Sequence, residues 1–119
     1  MAVIIVADDE FLLAQMLADL LEDEGYEVHT AQNGARALEL VRSHQPALLI
    51  TDFMMPVMTG LELATHLRDD PLFETLPILL VSGAQGALAR EREDLFDRVL
   101  DKPYNHLHLK QVVAEMVAP

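Results

Sequence analysis

Cysteine and tryptophan are absent from this 119-residue chain. Without cysteine there is no disulfide and no thiolate metal site, a composition suited to a reducing compartment. Basic residues are scarce: 8 Lys and Arg face 20 Asp and Glu, for a formal net charge of −12. Nonspecific nucleic-acid binding needs cations to neutralise phosphates, so the chain is a poor candidate for direct nucleic-acid contact. The same charge argues against an anionic membrane surface. No apolar run approaches the length of about 18 residues that a membrane span requires, so no membrane insertion is expected. The opening Met1-Ala2-Val3-Ile4-Ile5-Val6 has no basic residue and meets acids at once, so it does not look like a secretory signal.

What is present is a globular composition, 51% hydrophobic, over a length that suits one domain, residues 1–119. A chain of this size buries roughly two-thirds of its unfolded surface, enough for a core without staples. The acidity suits bound cations or a basic partner. There is no internal repeat, low-complexity tract or linker, and Ala118-Pro119 reads equally as a terminus or as the start of a linker.

Short β-like runs alternate with helical stretches. Val3 to Val6 is an unbroken apolar run, as a strand buried on both faces would be, and Ala7-Asp8-Asp9-Glu10 ends it. Leu13, Met16, Leu17, Leu20 and Leu21 recur at helical spacing, with Gly25 as a stop. Val28 to Thr30 is a weaker strand. Asn33-Gly34 opens a second helix through Ala37, Leu38 and Val41, which Gln45-Pro46 closes. Leu48-Leu49-Ile50-Thr51 is a third strand running straight into Asp52. Thr59-Gly60-Leu61-Glu62 reads as a capping box for a third helix that ends near Asp69-Asp70-Pro71. Ile78 to Val81 is a fourth strand, broken by Ser82-Gly83. Ala87 to Phe96 is the least clear helix, anchored by Leu88, Leu95 and Phe96. Val99-Leu100 is a short fifth strand, and Leu109, Val112, Val113 and Met116 mark a closing helix with Asn105 as its cap. Five strands alternating with five helices predict an α/β fold of parallel strands joined by right-handed crossovers.

In an open parallel sheet, function gathers at the carboxyl ends of the strands. Strand one ends in Asp8 and Asp9, strand three in Asp52, strand four in Ser82 and strand five in Lys102. Carboxylates gathered in one pocket need compensation, because two unit charges about 4 Å apart repel by about 4 kcal/mol at an effective dielectric near 20. Such a cluster takes up a proton or binds a cation. Oxygen ligands without thiolate or imidazole favour Mg2+, which commonly adds waters and a phosphate oxygen to its shell. Taken singly, each residue has a plainer reading: Asp8 and Asp9 as helix caps, Asp52 as a turn former, Ser82 as a satisfied strand-end hydroxyl, Lys102 as a solvated loop lysine. Their joint placement is what points to phosphoryl chemistry.

The ordered set Asp8-Asp9, then Asp52-Phe53-Met54-Met55-Pro56 with Gly60, then Ser82, then Lys102-Pro103 resembles the CheY-like receiver domain of two-component response regulators over essentially the whole chain. The resemblance implies a flavodoxin-like receiver fold: a five-stranded parallel sheet of order 2-1-3-4-5 with helices on both faces. It implies Asp52 as phosphoacceptor, Lys102 as its pairing lysine and Ser82 as the switch hydroxyl. It implies a Mg2+ site of Asp8, Asp9, Asp52 and the backbone carbonyl of Met54, and a cis Lys102-Pro103 peptide. The implied partners are a histidine kinase or histidine phosphotransfer domain, docking on the first helix below Asp9, and a downstream output protein or domain. The implied setting is a cytoplasmic two-component or phosphorelay system, in a protein that catalyses only its own phosphorylation and dephosphorylation.

One departure stands out. The family often carries Tyr or Phe three residues before the lysine, and here that position is Val99, which cannot report the switch by rotating a ring. Tyr104, after Lys102-Pro103, reads as a packing residue. The family's output face would include Arg90, Arg92, Glu93, Asp94, His106 and Lys110, with Arg90 and Asp94 spaced to pair. His106 and His108 lie two apart and would not face one another on a helix, so neither is read as a metal ligand. Two rival classes remain. An aspartate-based phosphatase would need a general acid two residues after the nucleophile, where Met54 stands. A receiver-like interaction module that works without phosphorylation would commonly have lost an acid or the lysine, and here the set is complete.

Overall fold

The structure is a computed structural model that describes residues 1–83 and 89–118. Its strands are β1 (Val3–Ala7), β2 (Glu27–Ala31), β3 (Leu48–Thr51), β4 (Ile78–Ser82) and β5 (Arg98–Asp101). They form one sheet in the order β2-β1-β3-β4-β5, and every pairing is parallel. Among the described residues the helices are α1 (Phe11–Glu22), α2 (Gly34–His44), α3 (Gly60–Arg68) and α4 (His106–Val117).

The strands are apolar along their whole length because both faces are covered. Side chains alternate across the sheet. Ile4, Val6, Leu48, Ile50, Leu79 and Val81 pack against α1 and α4. Ile5, Ala7, Leu49, Ile78 and Leu80 pack against α2 and α3. The resulting layers and strand order match the flavodoxin-like receiver fold that the family resemblance implies.

Local chemistry sets the helix ends. Thr59 and Glu62 form the reciprocal capping box at α3. Asn33 caps α2 by accepting from the Arg36 N–H, and Asn105 caps α4 by accepting from the Leu107 and His108 N–H groups. Gly25, at φ +93°, ends the turn after α1 in a conformation that a Cβ would strain.

Three expectations need correction. The stripe read on the first helix is wider than the sheet can cover: Leu17 and Leu21 are buried, but Leu13 and Met16 are 40% and 59% exposed. The expected helix from Ala87 to Phe96 begins outside the described residues, at Ala87 and Leu88. Ala89 and Arg90 are helical, but from Glu91 the chain runs in turns, with Arg92 N–H bonded to the Ala89 carbonyl and Leu95 N–H to that of Arg92. Arg90 pairs with Asp101 at 3.0 Å, not with Asp94, which Arg92 takes at 3.1 Å.

Arg68 carries no signal in the linear sequence that would single it out. Its side chain is only 13% exposed. It donates to the carbonyls of Leu95, Phe73, Glu74 and Leu76 and to the Asp97 carboxylate. Asp97 in turn accepts the Ile78 N–H at 2.7 Å. One guanidinium thus ties the end of α3 to the segments that enter β4 and β5.

Candidate functional site

All parallel strands end on the same side, so the residues that follow them share one edge of the sheet. The ladder bonds run on into that edge: Asp52 N–H donates to the Ala7 carbonyl at 2.9 Å, Asp8 N–H to that of Ala31, and Lys102 N–H to that of Ser82. Each site residue is therefore positioned by the backbone of a neighbouring strand.

One carboxylate oxygen from each of Asp8, Asp9 and Asp52 lies within 4.8 Å of the others. Lys102 Nζ stands 3.4 Å from both Asp8 Oδ2 and Asp52 Oδ2. Asp52 Oδ1 accepts the Phe53 N–H at 2.8 Å, which leaves Oδ2 facing the lysine. Asp8 also accepts the Glu10 N–H at 2.9 Å, so the capping reading holds for it in part, whereas the N-cap residue of α1 is Glu10 and not Asp9. The Lys102-Pro103 peptide is cis.

The electrostatics follow from burial. Desolvation pushes the Asp52 carboxyl above the usual carboxylate range; the Lys102 ammonium pulls against this and the Asp8 charge adds to it. Burial alone would lower the Lys102 pKa, but Asp52 and Asp8 together carry it above the ordinary lysine value. Tyr104, packed on the core beneath, has its phenol raised, chiefly by burial. A pocket with one buried carboxylate, one partly buried, a third exposed beside them and, among the described residues, a single ammonium is short of positive charge. Its donors, all oxygens, are of the kind a hard divalent cation takes.

Ser82, at the end of β4, is fully buried, and its hydroxyl has no hydrogen-bond partner among the described residues. An unsatisfied hydroxyl of this kind costs about 1–3 kcal/mol. The loop after Asp52 is tightly drawn in. Gly60 N–H donates to the Phe53 carbonyl at 2.8 Å, and a Cβ on Gly60 would run into the carbonyl of Asp52. Val57, in the same loop, sits at φ +69°, a left-handed conformation rare for a β-branched residue.

Beside the acids a groove of about 680 Å³ runs along α1. Asp8, Asp52 and Lys102 stand at one end and Asp19 and Asp23 at the other, with Leu13, Met16, Leu20 and Tyr104 in its walls. The spare apolar surface of α1 therefore opens directly onto the site. Among the described residues no helix is long and apolar enough to cross a membrane.

Known proteins share this fold. The family model described as the response regulator receiver domain matches residues 4–114. The chain is 35% identical over 104 residues to the polar-differentiation response regulator DivK of Brucella anthropi, covering 86% of this chain and 84% of that one. It is 30% identical to the response regulator Rre1 of a Synechocystis species, where it covers 97% of this chain but only 51% of the longer relative. The crystal structure of a candidate response regulator from Chloroflexus aurantiacus superposes with a TM-score of 0.91 at 31% identity, over 99% of this chain and 98% of that one. The sheet order, the family match and these relatives agree, and the chain belongs to the response regulator receiver domains of two-component signalling.

Proposed function

We propose that this domain accepts a phosphoryl group on Asp52 from a phosphohistidine of a histidine kinase or histidine phosphotransfer domain in the cytoplasm, and that the modification changes which output protein or domain it binds. The observation that carries the reading is the placement of Lys102 Nζ 3.4 Å from both Asp8 and Asp52 at the edge of the acidic cluster. Asp52 Oδ2 attacks phosphorus in line, the P–N bond of the donor breaks, and the imidazole leaves with the bonding pair. The Phe53 N–H holds the other carboxylate oxygen, so the attacking oxygen keeps one orientation.

Asp8, Asp9, Asp52 and the Met54 carbonyl would hold Mg2+, which would supply positive charge to neutralise the transferring phosphoryl oxygens. Lys102 exchanges its carboxylate partners for a phosphoryl oxygen. The product adds about −1.5 to −2 charges and three acceptors. Ser82, at the end of β4, carries a hydroxyl with no partner among the described residues, and turning it to a phosphoryl oxygen relieves its own burial cost. That movement shifts the end of β4 and biases the domain between two states. With Val99 in place of an aromatic, the signal passes by displacement of backbone and not by rotation of a ring. The groove along α1, walled by the exposed Leu13 and Met16, suits an apolar helix of the phosphodonor.

The test is intact mass after incubation with Mg2+ and acetyl phosphate. A gain of one phosphoryl group that is lost in Asp52→Asn and in excess chelator supports the assignment. No gain, or a gain that survives Asp52→Asn, overturns it.

A further inference from the structure

The sheet has a second cluster of ligand-bearing side chains at its opposite end. β2 is an edge strand, and its first residue, Glu27, pairs with Val3 at the amino end of the sheet, four residues before Ala31 meets Ala7 beneath the acids. Glu27 and His29 are two apart on the strand and share a face, the face on which Ala31 joins the α2 side of the core. α2 runs back across that face and brings its last residue, His44, to the same end. The imidazoles of His29 and His44 stack with centroids 4.0 Å apart and planes 19° from parallel. His29 Nε2 lies 2.7 Å from Glu27 Oε2. One donor atom from each of the three residues lies within 4.8 Å of both others.

We propose that Glu27, His29 and His44 form a binding site for a divalent transition ion of the zinc class, distinct from the acidic pocket in place and in chemistry. Two imidazoles and one carboxylate are a donor set that takes Zn2+, Cu2+ or Ni2+ in preference to Mg2+. Around a tetrahedral ion with bonds of about 2.0–2.2 Å, the donors stand roughly 3.3–3.5 Å apart. The observed separations, from 2.7 Å to at most 4.8 Å, bracket that value. Closing on an ion requires the two stacked rings to tilt apart until the in-plane lone pair of each nitrogen meets it, a movement open to exposed side chains (Glu27 is 46% exposed and His29 33%). The site also lies at the carboxyl end of α2, where the helix dipole favours a cation. Three protein ligands leave a fourth position for water or for a donor from another molecule. Occupancy would fasten the edge strand β2 to the end of α2.

Calorimetric titration of Zn2+ into the intact, chelator-stripped protein tests this, with Mg2+ in excess to fill the acidic pocket. The expected result is one Zn2+ per chain, with binding weakened on the order of tenfold or more in His29→Gln and in His44→Gln, since each removes one of three ligands. Asp52→Asn should bind Zn2+ as the wild type does. In NMR spectra the ring signals of His29 and His44 should shift on zinc addition, while those of His66, His106 and His108 stay. Circular dichroism checks that both glutamine variants are folded. Absence of stoichiometric zinc binding overturns the proposal, as does undiminished binding in the folded glutamine variants or a dependence on Asp52.

Discussion

Replacing Asp52 by Asn should make the metal-free protein more stable at neutral pH. Lys102, 3.4 Å away, attracts the Asp52 carboxylate by roughly 5 kcal/mol at an effective dielectric of 20. Asp8, with its nearest ligand oxygen within 4.8 Å, repels it by about 3.5 kcal/mol or more on the same scale. Exposed Asp9 adds a screened repulsion. The attractions and repulsions come close to cancelling, and the cost of burying the charge is left over. This agrees with the direction in which burial moves the Asp52 carboxyl, upward against the pull of Lys102. An amide of the same shape keeps the bond from the Phe53 N–H and sheds that cost, and Lys102 retains Asp8 as its partner. The expected gain is about 1–2 kcal/mol, or roughly 3–10 °C in the thermal midpoint for a domain of this size.

The pH dependence has a definite sign. The folded chain holds the Asp52 proton more tightly than the unfolded chain does. The contribution of Asp52 to wild-type stability therefore falls as pH rises from the unfolded carboxylate value, near 3.9, through the raised folded value, and the loss is complete above it. The advantage of the Asn variant should be full at neutral pH and vanish below about pH 4. Saturating Mg2+ should shrink or reverse it, since an ion at 100 times its Kd stabilises by about 2.7 kcal/mol and the variant lacks one ligand of the proposed site. Paired urea melts of the two proteins across pH, in chelator and in Mg2+, measure all of this. An Asn variant no more stable than wild type at neutral pH in chelator would refute the charge argument, as would an advantage that ignores both pH and Mg2+.

Arg68→Met should cost about 2–4 kcal/mol, because it leaves buried carbonyls and the Asp97 carboxylate without their donor; the urea midpoint should fall with little change in slope, while Asp52 still accepts a phosphoryl group. Val57→Gly should raise stability by about 1 kcal/mol by removing the left-handed strain, read as a higher midpoint in the same assay. Gly60→Ala should slow phosphorylation by acetyl phosphate on the order of tenfold to a hundredfold, since the added Cβ displaces the Asp52 backbone by a distance that matters for in-line attack. An unchanged rate there would mean that α3 gives way and Asp52 does not.

The acidic cluster was legible in the sequence because its logic is local. A residue that follows a buried strand lies at the sheet edge whatever the loops do, so Asp8, Asp9, Asp52 and Lys102 could be placed from apolar runs alone, and Thr59, Asn33 and Asn105 announced their helices by side-chain chemistry within four residues. Periodicity was less informative where a helix is apolar on more than one face. In α1 it could not separate Leu17 and Leu21, which meet the sheet, from Leu13 and Met16, which face the groove. It also carried a helix on to Phe96, where the backbone turns instead. The clamp at Arg68 and the trio Glu27, His29 and His44 left no local trace. Arg68 reaches the Leu95 carbonyl 27 residues on, and His44 meets β2 only because α2 is just long enough to recross the sheet. A lone arginine in a last helical turn, or a lone histidine at a helix end, looks the same whether solvated or buried against distant carbonyls. What decides is the length of the crossover and the register at which it returns, and these depend on the packing of the whole domain.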